Sequence, residues 1–279
     1  MKTCIAAFCA TAAIASLSVA HEFWIQPSSF RPAVGERVGM HLLVGDGFPG
    51  EPRPRDPTKL GKFMVVGPDG ESAVPGKDGE DPAGIAVFSK AGTHVVTYRS
   101  LPTQVTLEAA KFDAYLKEEG LEHVSKARAA QGATGKPGRE SYSRAAKSLV
   151  LVGGAPQDAG HARVIGFPAE ITPTTNPYAA HAGDAITFRV THDSASAEGV
   201  LVRAFCKADP KLRIETRTNS NGEATFTLDH QGTWLIGTVR MDSADGSKDA
   251  DWVSTWASLT FDLAPAAPKI RPTEQGPGR

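Results

Sequence analysis

Two stretches of this chain repeat one plan of short alternating strands, and that repeat limits the possible fold more than any other feature. In the first, Gly35 and Glu36 lead into a strand whose Val38, Met40, Leu42 and Val44 share one face, the period of a half-buried strand. A second apolar run, Lys62 to Val66, is stopped by the turn residues Gly67, Pro68, Asp69 and Gly70. Ala83 to Phe88 then passes through Lys90, Ala91 and Gly92 into Thr93 to Arg99. The second stretch keeps the order: Gly183 to Val190 matches the first strand, Gly199 to Phe205 follows, and Asn221 to Leu228 runs through Gln231 and Gly232 into Thr233 to Arg240. In this register His94 stands where the second copy has Trp234. An aromatic residue after a Gly-Thr turn fills the core of immunoglobulin-like sandwiches. The plan predicts a mainly β chain of two immunoglobulin-like antiparallel β-sandwiches.

Residues 108–150 differ in character. Phe112, Tyr115, Leu116, Leu121 and Val124 recur at helical spacing among Lys, Glu and Ala, with Gly120 as a break, so a short helical insert is expected between the sandwiches. Residues 132–138 read as a polar loop and Ser141 to Leu149 as a further helical turn. The expected organisation is a leader at 1–20, an N-terminal sandwich at 21–107, the insert at 108–150, a C-terminal sandwich at 151–263, and a disordered tail rich in Pro, Gly and charge at 264–279.

The leader follows from a positive start at Lys2, an apolar run from Cys4 to Val19, and the small-x-small sequence Ser18, Val19, Ala20 that signal peptidase reads. The run is too short and alanine-rich for a membrane span, so the expectation is an exported periplasmic protein with no transmembrane segment after cleavage. Without Lys2 the chain carries 29 basic side chains (30 less one) against 31 acidic ones, a balance that does not call for nucleic acid. Cys4 and Cys9 leave with the leader, so Cys206 has no internal disulfide partner and reads as a half-buried strand residue.

Cleavage after Ala20 makes His21 the first residue. Its free amine and one ring nitrogen then close a bidentate chelate suited to nickel, cobalt or copper. His94 shares the face of Val96 and Tyr98, where an imidazole needs a hydrogen bond or a metal, and a hydrogen-bonded core histidine is the competing explanation. If the first strand lies beside the strand of His94, the two histidines form a three-nitrogen site. His41 alternates away from the core face and is a further ligand candidate through a hairpin near Pro32 to Gly35. His123 sits among glutamates on the insert and reads as solvated, as do Arg139 to Arg144 and Lys147, whose charge density otherwise suggests a partner surface. His161, His181, His192 and His230 receive no role. No tight histidine pair, Cys-x-x-Cys, Gly-x-Ser-x-Gly or His-Glu-x-x-His occurs, which argues against an enzyme.

The run His21 to Phe30 directly after a leader, with Val44 to Pro52, Ala110 to Leu121 and Asp251 to Phe261, resembles a family of periplasmic proteins of Gram-negative bacteria. That family is carried as a domain of unknown function and labelled nickel uptake substrate-specific transmembrane region. The resemblance implies a metal-binding accessory protein that captures divalent nickel or cobalt and passes it to a membrane importer, with His21, His94 and His41 as candidate ligands. Two other readings stand beside it. One is a copper-dependent oxygenase using an amino-terminal histidine clamp; the other is a metal-free module that binds a partner in the envelope.

Overall fold

A computed structural model describes residues 21–154 and 159–265. The expected leader, and the expected tail beyond Pro265, lie outside the described residues.

The first half of the chain forms β1 (Glu22–Pro27), β2 (Arg37–Gly45), β3 (Glu51–Arg53), β4 (Leu60–Gly67), β5 (Gly70–Ala73), β6 (Gly84–Val87), β7 (Gly92–Ser100) and β8 (Thr103–Leu107). Helices α1 (Ala109–Glu118) and α2 (Glu122–Ala130) follow, then β9 (Gly138–Val152). The second half supplies β10 (Ala169–Pro173), β11 (Ala185–His192), β12 (Ala195–Ser196), β13 (Leu201–Cys206), β14 (Arg213–Arg217), β15 (Glu223–Thr227), β16 (Gly232–Ser243) and β17 (Trp252–Leu263). The molecule is thus mainly β, with a helical pair between its two runs of strands.

These strands build three sheets. A first sheet of four strands joins β1, β2 and β3, with β6 also on β2; a second of four joins β10, β11 and β12, with β15 on β11. The third has nine strands in the order β14-β13-β16-β17-β9-β7-β4-β5, with β8 on β9, and serves both halves of the chain. Its halves meet where β17 runs parallel to β9, from Trp252 opposite Glu140 to Thr260 opposite Ser148, whereas the other pairings between named strands are antiparallel.

Alternation decides which sheet each side chain serves. On β9, Ala146, Val150 and Val152 share a core with Ile25, Met40, Leu42 and Phe88 of the first half. Leu149 and Leu151 share another with Ile186, Phe188 and Val190 of the second. The two small sheets therefore cover opposite faces of one central sheet. Beside the first sheet the helical pair covers the rest of its face, burying Phe112, Leu116 and Val124 against Val239, Met241 and Trp252. Gly120 makes the turn between the helices at φ 65°, where a Cβ would press on Leu201 at 2.9 Å.

The expected helical turn at Ser141 to Leu149 is replaced by β9, and the solvated charges expected there are buried: Glu140 is 0%, Arg144 7% and Lys147 1% exposed. A strand covered on both faces tolerates such residues only with partners in place. Glu140 accepts from the Tyr115 and Ser254 hydroxyls, and Lys147 pairs with Glu170 at 2.7 Å. Arg144 lies against the Tyr142 and Trp256 rings, 5.2 and 4.9 Å from their centroids.

On the side away from β2, strand β1 has no paired strand among the described residues, and side chains of the central sheet take over that role. The main-chain oxygens of His21, Phe23 and Ile25 accept from Arg144 Nη1 at 2.6 Å, Ser258 Oγ at 2.6 Å and Thr260 Oγ1 at 2.7 Å. A row of donors from β9 and β17 thus fastens the small sheet and fixes the start of the described chain.

Candidate functional site

His21 precedes β1, and the pairing of Glu22 with Gly45 sets it beside the loop that leaves β2. That loop, Gly45 to Gly50, is shaped by close packing. Gly50 has φ 69° and lies under the Trp24 ring, which a Cβ would meet at 2.3 Å; at Gly47, φ 98°, a Cβ would meet Phe205 at 2.8 Å. Trp24, Phe48, Phe205 and Leu235 form a small core beneath it. The loop is therefore held rigidly where it presents Asp46.

Asp46 Oδ1 is 3.2 Å from His21 Nδ1. The pair lacks the alignment of a hydrogen bond, and Nδ1, closed off from solvent, has no hydrogen-bond partner. A buried unsatisfied ring nitrogen beside a carboxylate costs free energy unless something bridges them. With metal–ligand bonds of about 2.0–2.1 Å, neighbouring donors on one ion lie about 3 Å apart, so this spacing suits two ligands of a shared ion. Among the described residues no group of three or more His, Cys, Asp and Glu side chains is placed to hold a metal ion. The main chain can supply a third donor at this place, and the amine that cleavage would create on His21 is such a donor. Glu51 and Arg53 line the same hollow, of about 480 Å³.

The next residue carries the electrostatics inward. Glu22 is 4% exposed, and burial raises its pKa although Arg203 and Arg144 pull it down. Arg203 also pairs with Glu119 at the end of α1 and with Glu215 at 3.0 Å. The Glu119 carboxyl is pushed up to about 7, by burial first, against the pull of Arg203.

The three histidines expected to share a metal do not meet. His41 lies opposite Gln26 in the β1–β2 ladder, about 16 Å along the strand from His21, and its Nδ1 faces Asp81 at 2.8 Å. His94 lies opposite Val150, six positions along β9 from the Arg144 that holds His21, or about 20 Å. It is a buried core residue with its ring against Phe88, Nδ1 3.1 Å from the Gly92 oxygen and Nε2 3.8 Å from Asp69. The shared-face expectation fits that position, but not a three-nitrogen site with His21, because β1 packs across β9 and β17 and has β2 as its ladder neighbour.

Two features escaped the sequence reading. Asp46 belongs to a Gly-Asp-Gly turn within the Val44 to Pro52 run of the resemblance, where nothing marked it as a ligand. His123 and His192 both line a hollow of about 380 Å³ between α2 and the second half. His123 Nε2 contacts the Met241 oxygen at 2.9 Å, while burial, then Arg240, brings the His192 pKa down to about 4.

Comparison with solved structures gives matches at low identity and low TM-score. The D0-D1 domain of intimin is 14% identical, over 86% of this chain and 97% of that one, with a TM-score of 0.20. The Yersinia pseudotuberculosis adhesin InvE is 10% identical, over 92% and 66%, with a TM-score of 0.20. Escherichia coli alpha-2-macroglobulin activated by porcine elastase is 11% identical, over 88% and 20%, with a TM-score of 0.21. No curated protein matches the chain. Among the described residues no helix is long and apolar enough to cross a membrane. A family model matches residues 18–242, and the chain belongs to that family, described as Domain of unknown function (DUF4198).

Proposed function

We propose that this protein is an exported, non-enzymatic metal-binding protein that captures one divalent transition ion, nickel or cobalt, at His21 after cleavage behind Ala20, and passes it to a membrane importer. The observation that carries the reading is the His21 Nδ1 atom, sealed from solvent, without a hydrogen bond and 3.2 Å from Asp46 Oδ1. The α-amine and Nδ1 of His21 would chelate the ion and the Asp46 carboxylate would complete a mixed nitrogen and oxygen set, which suits nickel and cobalt. Arg144, holding the His21 oxygen, fixes the chelating residue without occupying a ligand position. Asp46 is 76% exposed, so an ion held here stays accessible for transfer. An oxygenase clamp calls for a second imidazole at the amine, and neither His41 nor His94 is near.

The test uses protein matured with His21 as its first residue, titrated calorimetrically with Ni²⁺, Co²⁺ and Cu²⁺. One equivalent of nickel or cobalt should bind. Asp46→Asn should weaken it about tenfold or more, and acetylation of the His21 amine, which removes that donor without adding another, should abolish it. Binding that survives acetylation, or its absence in the mature protein, overturns the reading.

A further inference from the structure

Next to the His21 hollow, and sharing Val44 and Arg53 with it, lies a second hollow of about 380 Å³. Its floor is Arg144. This side chain is 7% exposed, and among the described residues its guanidinium makes one hydrogen bond, to the His21 oxygen, and stands in no salt bridge. Of the other buried bases, Lys147 and Arg203 each have a carboxylate in contact. Arg128, 2% exposed, faces Asp113 at 3.7 Å. Burial lowers the Arg144 pKa, and the Glu22 and Glu140 carboxylates that act against this form no salt bridge with it. A buried cation with unused N–H donors facing a hollow is an incomplete arrangement that an anion completes.

The rest of the lining gives the anion's character. Phe23 and Tyr98, with rings 4.9 Å apart, and Tyr142 line one side of the hollow with aromatic surface. Tyr98 is 5% exposed and burial pushes its pKa up to about 12, so its hydroxyl stays a donor at neutral pH. Arg53 and Lys59 also line it, Arg53 3.6 Å from Glu51 and Lys59 3.9 Å from Asp56. The one carboxylate in the lining, Asp56, is turned to its own loop, accepting from the Thr58 amide at 2.9 Å and hydroxyl at 2.5 Å. A buried guanidinium, a phenol and an aromatic wall together match a planar carboxylate on an apolar body, and the aromatic wall gives no advantage to inorganic phosphate, which has no apolar body to lay against it.

We propose that the hollow between β1, β7 and β9 binds a small organic carboxylate, its oxygens on the free N–H groups of Arg144 and its body against Phe23, Tyr98 and Tyr142. The site does not depend on a metal at His21. Because Trp256 stacks on Arg144, tryptophan fluorescence reports occupancy.

The mature protein, kept metal-free with a chelator, is titrated with benzoate and separately with inorganic phosphate. Benzoate should bind at millimolar concentration or tighter and phosphate at least about tenfold more weakly. Arg144→Lys, which keeps the charge and loses the fork, should weaken benzoate about tenfold. Thr103→Phe fills the hollow from a half-buried strand position, leaves the guanidinium untouched, and should abolish binding even if the Arg144 variant does not fold. Phosphate bound as tightly as benzoate, benzoate retained by folded Thr103→Phe protein, or no benzoate binding each overturns the proposal.

Discussion

Lys147 and Glu170 are each 1% exposed, and replacing Glu170 by glutamine tests how far the second half depends on them. Glu170 Oε1 accepts from Lys147 Nζ at 2.7 Å and from the Ile165 amide at 2.8 Å, while Oε2 accepts from the Gly166 and Phe167 amides at 2.8 and 3.2 Å. Whichever way a glutamine amide turns, its NH2 meets two donors, and Lys147 keeps the Thr172 hydroxyl, the Arg163 oxygen and at best one neutral amide oxygen. Breaking a buried pair from one side costs about 3–5 kcal/mol. At a chain of this size that lowers the melting temperature by roughly 6–20 °C. Urea unfolding followed by tryptophan fluorescence measures it directly. The Glu170→Leu, Lys147→Met double variant should recover only part of the loss, since an apolar pair leaves no orphaned charge but takes the acceptor from the Ile165, Gly166 and Phe167 amides. Burial raises the Glu170 pKa, but Lys147 and the amides outweigh it and hold it below 4.5. The stability it contributes is therefore present above the ordinary carboxylate range and lost as pH falls through the lowered pKa, so the gap between wild type and Glu170→Gln should close in acid. A Glu170→Gln protein within about 1 kcal/mol of wild type at neutral pH would refute this reasoning.

Three further outcomes are expected. Gly50→Ala drives a Cβ into the Trp24 ring at a left-handed φ and should cost about 1–3 kcal/mol by urea unfolding, while lowering metal affinity through displaced Asp46. Replacing Ser258 by alanine and Thr260 by valine together removes two donors to β1 and should cost about 2 kcal/mol, with faster amide exchange in β1 and β2 than in β16. His192 is held neutral down to about pH 4 against an ordinary 6.5, so its contribution to stability is present above 6.5 and lost as pH falls through 4. His192→Asn should flatten the stability profile across that window in a pH series of thermal melts.

The repeated turns and the alternation of Val38, Met40, Leu42 and Val44 were enough to read a mainly β chain, because a strand with one wet face writes its period into the sequence. Gly120 and the spacing of Phe112, Leu116 and Val124 likewise revealed the helical pair. The run at Arg139 to Lys147 misled for a physical reason. A strand buried on both faces has no polar side, and its charges are satisfied by Tyr115, Glu170, Ser254 and the Trp256 ring, all distant in sequence or separated by a turn of chain. At the candidate site, His21 was singled out from its place after the expected leader. Asp46 was not, because its role depends on a loop fixed by Trp24 and Phe205. The two copies of the plan also hid the fact that their halves share a sheet.

The parallel seam between β9 and β17 governs how the chain can be completed. β17 is the last strand of the described residues, yet it fills the slot between β16 and β9 and supplies the hydroxyls that hold β1. A chain delivered amino-terminus first must hold β9 and β16 with open edges until Trp252 to Leu263 arrives, and open edges are where strands pair with the wrong neighbour. A fragment ending before Trp252 would keep the helices, both small sheets and His21. It would still be cut in two at its centre, with a pair of long unpaired edges inviting aggregation.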